Sequence, residues 1–473
     1  MTRTGYRIEK VMMMAAPKAI SIFEAHDRFQ NGEKVREEVW DYTTIPNNAA
    51  MFKEKYDLNF GSDMIPADKD TSNRLFMAGV EMLVETGFFN PDIGRVMRVT
   101  EAEVFEGLKR ATKRLRLGSG KDEVICGRRL GNNAIRPVIQ GGPTGTPISE
   151  EIIVILAQAY AQETAVDSLA SGVLATINGH PPTANTPWEI KATLGEVRGL
   201  REGMIRAGRP GMPIKGPDTP LSSIGRLASS LESALAKNDM HLCSQLNEMK
   251  MDMTGLNLLA GWALNGDTIM IEQMPMFGGY CGGIEETAIC DVATSIASVA
   301  LFNANIHMDG TIHMRMGVTT ARETLQISAH AAAALDANTN ILLANQYYVA
   351  AGPCTEMCLL ETAAQAICDT ASGRELLSGV AAAKGVARDK ITPIEARMMG
   401  EASEATAGMR VSDANEILNK LIPMYEGNLH NPPKGKRFQD CYDVRTLAPS
   451  EEHLSVYDDA VRILRDIGLE IRY

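Results

Sequence analysis

Several short apolar runs hand over, at their C-terminal ends, to side chains that can do chemistry. Gly211-Met-Pro-Ile-Lys-Gly-Pro ends in Lys215, Ile269-Met-Ile is followed by Glu272, and a third run ends in Asn345-Gln-Tyr-Tyr. A fourth, Val138-Ile-Gln-Gly-Gly-Pro-Thr-Gly, reaches Gln140 and then a glycine-rich turn. An amine, a carboxylate, amides and a phenol brought to one place can bind a small polar substrate and move a proton. Lys215 also fits a loop lysine paired with Asp218, but the apolar run leading into it favours a role in a site. Glu272 must face a shared mouth or find a partner, and burial raises a carboxyl pKa toward the range useful for acid–base work. In extended chain Gln346 and Tyr348 share one face, and Asn345 and Tyr347 the other. The glycine-rich turns fit tight bends or close approach to a ligand equally well.

A second cluster, Cys354-Thr-Glu-Met-Cys358, puts two thiols on one face of a helix start. Zinc would need further ligands, with His307 and His313 nearest by pattern. The pair is not a CxxC and no second pair exists, so small buried thiols are the reading adopted and no metal is expected. No Gly-x-Gly-x-x-Gly follows a strand, and there is no Walker sequence and no Gly-x-Ser-x-Gly. Nicotinamide, nucleotide and serine-hydrolase chemistries are therefore not expected.

The elements that must position these residues alternate. Short apolar runs lie at 136–140, 171–177, 211–215, 241–246, 268–273, 305–315, 341–347 and 376–382, with helical patterns between them at 150–164, 188–207, 284–303, 320–336 and 356–370. Eight runs separated by helices over about 250 residues match a TIM (β/α)8 barrel, an α/β fold whose chemistry sits where strands enter the following loops. The barrel is expected over 131–408. Residues 1–130 read as a mostly helical extension, with helices at 71–86 and 100–115; Thr100 and Glu103 have capping-box spacing. Residues 409–473 read as a helical tail packed on the barrel, with helices at 412–425 and 451–468.

Composition narrows the function. The chain has 473 residues, is 45% hydrophobic and 22% charged, and carries a net charge of −12. It can bury a large core, and it lacks the basic blocks that neutralise nucleic-acid phosphates. No apolar run reaches the roughly 18 residues of a membrane span, and the Met/Ala stretch at 11–16 is too weak for a signal peptide, so a cytoplasmic location is expected. Eight scattered cysteines suit reduced thiols.

Longer strings carry a resemblance. The Gln140 and Lys215 segments, Ser244-Gln-Leu-Asn-Glu, Glu272-Gln-Met-Pro-Met-Phe-Gly-Gly-Tyr, Asn345-Gln-Tyr-Tyr, Ala351-Gly-Pro-Cys-Thr-Glu-Met-Cys-Leu-Leu-Glu and Thr370-Ala-Ser-Gly-Arg-Glu resemble the monomethylamine:corrinoid methyltransferases of methylotrophic methanogens. The similarity runs in order from about residue 30 to the C-terminus. It implies a TIM barrel, a homohexamer, and methyl transfer from monomethylamine to the Co(I) centre of a separate corrinoid protein. The corrinoid would come with the partner, so no tightly bound cofactor is implied. Lys215, Glu272, Gln346 and Tyr348 match the family's site positions.

Two departures matter. The family's pyrrolysine falls on Lys215, which is either pyrrolysine written as its parent lysine or a true lysine. The family's Glu within the His-Glu-x-Ser-Gln-Leu-Asn-Glu string is Leu242 here, and the Asp before its catalytic Glu is Ile271. Pyrrolysine offers an electrophilic imine that can add an amine, whereas a lysine amine is nucleophilic. The missing carboxylate favours a true lysine. The alternatives to monomethylamine are then another methyl donor such as a quaternary amine, a Schiff-base lysine lyase, or a scaffold without catalysis. The chain's 5% aromatic content argues against an aromatic cage for a quaternary amine.

Overall fold

The computed structural model describes residues 18–231 and 234–472; the Met/Ala stretch at 11–16 lies outside them. Eight parallel strands close into a barrel: β1 (Val138–Gly141), β2 (Ser168–Ala170), β3 (Ile214–Gly216), β4 (Met240–Ser244), β5 (Thr268–Glu272), β6 (Ile306–Asp309), β7 (Leu343–Tyr348) and β8 (Leu376–Ala381). Neighbours follow chain order, and β8 closes onto β1 with Leu376 opposite Val138 and Gly379 opposite Gly141. A helix follows each strand: α1 (Ile153–Gln162), α2 (Pro187–Arg206), α3 (Ser223–Leu227), α4 (Met253–Asn265), α5 (Ile284–Ala300), α6 (Arg322–Asn338), α7 (Glu356–Ala371) and α8 (Pro393–Thr406). The fold is the TIM barrel that the sequence predicts.

Strand alternation sorts side chains into two layers. On β4, Met240 and Leu242 join the apolar cluster inside the barrel, whereas Cys243 packs into the helical shell and the His241 ring lies beside Trp262 of α4. On β5, Met270 faces inward, and Ile269 and Ile271 face the helices. An antiparallel hairpin, Arg114–Leu117 with Val124–Gly127, closes the N-terminal end. Its Leu117 and Cys126 pack against Val138, Met240, Met270, Ile306 and Leu376, all at or near the starts of strands. The opposite end stays polar.

Three differences from the sequence reading follow from what each segment pairs with. The second strand is Ser168–Ala170, not 171–177: Gln140 and Lys215 provide its ladder partners, whereas Val173–Leu174 pairs only with Pro147–Ile148 above the barrel. The run at 305–315 likewise divides into β6 and a short strand, Ile312–His313, paired with Met276–Phe277. The helix expected at 100–115 ends at Leu108, because from Arg114 the chain alternates into the hairpin and buries Leu117. Thr100 and Glu103 do form the capping box, and the preceding helix starts at Lys69, capped by Asp68, rather than at Thr71. Helix Lys69–Thr86 packs on α5 and α6, and the C-terminal helices Val411–Leu421 and Glu451–Asp466 pack on α7.

Candidate active site

The four residues chosen from sequence all lie at the C-terminal ends of odd-numbered strands: Lys215 on β3, Glu272 on β5, and Gln346 and Tyr348 on β7. Glu272 is only 7% exposed and Lys215 1%. Ser244, beside Glu272 in the ladder, donates its hydroxyl to Glu272 Oε2 at 2.8 Å. Glu272 Oε1 is buried and has no hydrogen-bond partner among the described residues. Burial pushes the Glu272 carboxyl up, while the charge of Lys215 and the Ser244 hydroxyl pull it back. A buried carboxylate with one free oxygen can accept a hydrogen bond from a cationic substrate.

Gln346 and Tyr348 do share a face. Gln346 Nε2 donates to Tyr348 Oη at 2.7 Å, leaving Gln346 Oε1 buried and unpaired. Asn345 on the opposite face donates to Ser328 Oγ at 3.0 Å and Asp369 Oδ1 at 2.7 Å. Burial and the charges of Glu272 and Asp218 hold the Tyr348 phenol in its neutral form, well above its ordinary pKa. The Tyr348 N–H donates to Thr319 Oγ1 and its carbonyl accepts the Thr319 N–H, which fixes the strand end. Gly385, at φ +66°, lies so close to the ring that a Cβ would stand 2.8 Å from Tyr348 Cε1. A side chain there would displace the phenol.

Lys215 Nζ stands 3.4 Å from Asp218 Oδ2. The loop-lysine pairing is therefore present, and the pair sits at the strand end within electrostatic reach of Glu272. Leu242 lies in the apolar floor one layer below Ser244, with 2% exposure. Ile271 points outward, so its side chain takes no carboxylate from the lumen.

Sequence reasoning missed Glu196 on α2. It is completely buried, and its oxygens accept the N–H groups of Asp218 and Thr219. Burial and the nearby Asp218 push its pKa up to about 7. The only signal was a pair of glutamates seven residues apart, Glu189 and Glu196, on the face that also carries Ala192, Val197 and Leu200. Gln140 donates to Ser168 Oγ at 3.0 Å and accepts from Ser378 Oγ at 2.8 Å, tying β1 to its neighbours. Cys354 and Cys358 are buried free thiols. They do not gather His307 and His313 into a zinc site: no group of three metal-ligating side chains forms among the described residues. Burial and the charge of Arg374 push His307 down to about 3, leaving it neutral. No described helix is long and apolar enough to cross a membrane.

Comparison with known proteins agrees with the geometry. Residues 20–469 match the family model described as Monomethylamine methyltransferase MtmB. Monomethylamine methyltransferase MtmB1 of Methanosarcina acetivorans is 46% identical over 456 residues, covering 96% of this chain and all of that protein. MtmB2 of Methanosarcina barkeri strain Fusaro gives the same figures, 46% identity over 456 residues. The crystal structure of the Methanosarcina barkeri enzyme aligns with a TM-score of 0.95 at 46% identity, covering 96% of this chain and 99% of that one. The hydroxylamine complex of MtmB aligns equally, at a TM-score of 0.95. The chain belongs to the monomethylamine methyltransferase MtmB family.

Proposed function

We propose that this protein transfers a methyl group from monomethylamine, or a closely related methylated amine, to the Co(I) centre of a cognate corrinoid protein. The observation that carries the reading is the buried group at the barrel mouth, where Lys215, Asp218 and Glu272 meet the Gln346–Tyr348 pair. A carboxylate with a free oxygen suits a small ammonium substrate and the proton it carries. In the overall reaction the C–N bond breaks, ammonia leaves with that electron pair, and a C–Co bond forms with both electrons from Co(I). The corrinoid supplies the nucleophile and arrives with the partner protein.

The chain's own residues bind and orient the amine. Glu272 faces the ammonium group, and the Gln346–Tyr348 hydrogen bond holds a neutral phenol at the end of β7. Pyrrolysine at position 215 would supply an electrophilic imine inside the lumen, which suits the placement of that side chain. A true lysine leaves binding to the carboxylates. A homohexamer and a cytoplasmic location belong to the same reading, in line with the family.

The test is methyl transfer to Co(I) corrinoid protein, followed by the corrinoid spectrum, with mono-, di- and trimethylamine and tetramethylammonium as donors. Transfer from monomethylamine is expected. Transfer only from tetramethylammonium would move the reading to a quaternary donor. Trapping of a carbonyl substrate on Lys215 by borohydride, without methyl transfer, would replace it with Schiff-base chemistry.

A further inference from the structure

Two carboxylates on α2 do something a connecting loop does not require. Glu189 and Glu196 are seven residues apart, two helical turns, and so share one face. Glu196 Oε1 accepts the N–H of Asp218 at 2.8 Å, and Oε2 accepts that of Thr219 at 3.0 Å. Glu189 accepts the N–H groups of Leu221 at 2.8 Å and Ser222 at 2.7 Å, with the Ser222 hydroxyl at 2.6 Å. Both glutamates are buried. Burying two carboxylates costs desolvation, offset here by charge-assisted bonds to the segment immediately after Lys215. That segment is therefore rigidly placed, and the side chain it places is Asp218.

Asp218 has a side chain 8% exposed. Its Oδ2 faces Lys215 Nζ at 3.4 Å and accepts no hydrogen bond from the described residues. Glu272 Oε1 and Gln346 Oε1 are buried and unpaired in the same way. Three acceptors without donors thus occur in one site. Charge points the same way. Asp218, Glu272 and Glu196 face two cations, Lys215 and Arg226, and Arg226 donates to the carbonyls of Pro220 at 3.1 Å and Leu242 at 3.3 Å. A buried excess of acceptors and negative charge is relieved by a small cation rich in N–H donors. A primary ammonium has three N–H groups; a quaternary ammonium has none.

We infer that Asp218 is a further specificity-determining residue, which with Glu272 receives the N–H donors of a primary ammonium, and that Glu196 is the positioning residue that fixes it. The inference rests on the reading that this site takes a methylated amine.

Calorimetric binding of methylammonium and tetramethylammonium to the full-length protein tests it, alongside steady-state methyl transfer. Asp218→Asn keeps the side chain's shape and removes its charge. It is expected to weaken methylammonium binding at least about tenfold, the scale of one charged hydrogen bond. Tetramethylammonium, with charge but no N–H, should lose less. In turnover KM for monomethylamine should rise by a similar factor with kcat little changed. Glu196→Gln should shift KM in the same direction with kcat retained, a split that a merely loosened fold would not produce. Unchanged methylammonium affinity in D218N overturns the inference, as does equal weakening of both cations. A wild-type protein that binds methylammonium but transfers no methyl group refutes the proposed reaction, while D218N binding still decides the role of Asp218. A wild-type protein that binds neither cation overturns both.

Discussion

Replacing Glu272 by Gln removes a negative charge with almost no change in shape. The structure separates two costs. The Ser244 hydroxyl can still donate to the remaining carbonyl oxygen, so the 2.8 Å bond weakens from charged to neutral. That change is worth about 1 kcal/mol, roughly fivefold in rate if it acted wholly on the transition state. Loss of the anionic partner that keeps the departing nitrogen protonated, so that it leaves as ammonia, is worth about 10²–10³-fold, or roughly 2.7–4 kcal/mol. We therefore expect kcat to fall at least about 100-fold with the fold intact. The pH profile gives an independent readout. Because burial holds the Glu272 carboxyl above its ordinary range, and only its ionised form can hold the ammonium, activity rises with pH through that raised pKa. E272Q should abolish this acidic limb. The assay is initial-rate methylation of Co(I) corrinoid protein from monomethylamine across pH, with circular dichroism to check folding. A fall of less than about tenfold, or an acidic limb that survives in E272Q, would refute the assignment of Glu272 as the anionic partner of the ammonium.

Tyr348→Phe strips the buried Gln346 amide of its acceptor, and an orphaned buried donor costs about 1–3 kcal/mol; kcat/KM should drop about tenfold or more, and a change within twofold would deny Tyr348 a role. Arg374 is ion-paired at 2.7 Å to Asp309 and 2.9 Å to Asp369, and all three are buried. Arg374→Met should cost about 3–5 kcal/mol in denaturant unfolding. Both aspartates are already raised by burial, and losing Arg374 raises them further. The two folded states bind different numbers of protons only above the wild-type folded pKa, about 6 for Asp309, so the deficit should grow above about pH 6; a deficit that shrinks as pH rises would be the wrong sign. Tryptic digestion of denatured protein from its native host is expected to cut after residue 215, as an unmodified lysine requires. A heavier peptide left uncut there would identify pyrrolysine and make Leu242 a local variation.

Much of the site could be read without coordinates, for a specific reason. In a barrel of short parallel strands, a polar residue that closes an apolar run can only face the mouth or the loops. That logic located Lys215 and Glu272, and simple alternation paired Gln346 with Tyr348. The Thr100–Glu103 cap was equally legible because its partners are three residues apart. Features set by distant partners were not. Ser168–Ala170 is a strand because Gln140 and Lys215 flank it, although the next seven residues are the better apolar run by composition. Ile271 looked like a lost site residue until the direction of β5 turned it toward the helices.

The alternation of strands and helices, the family, and the polar ends of β3, β5 and β7 were legible from sequence alone, because periodicity, turn chemistry and long matching strings are local properties. What needed the folded chain is that Glu196 on α2 clamps Asp218 in the loop after β3, that Ser244 holds one oxygen of Glu272, and that three acceptors remain without donors. Hydrogen bonding and burial depend on which chain segments meet in space, and residues 22 or 28 positions apart carry no mark of that meeting until the barrel closes.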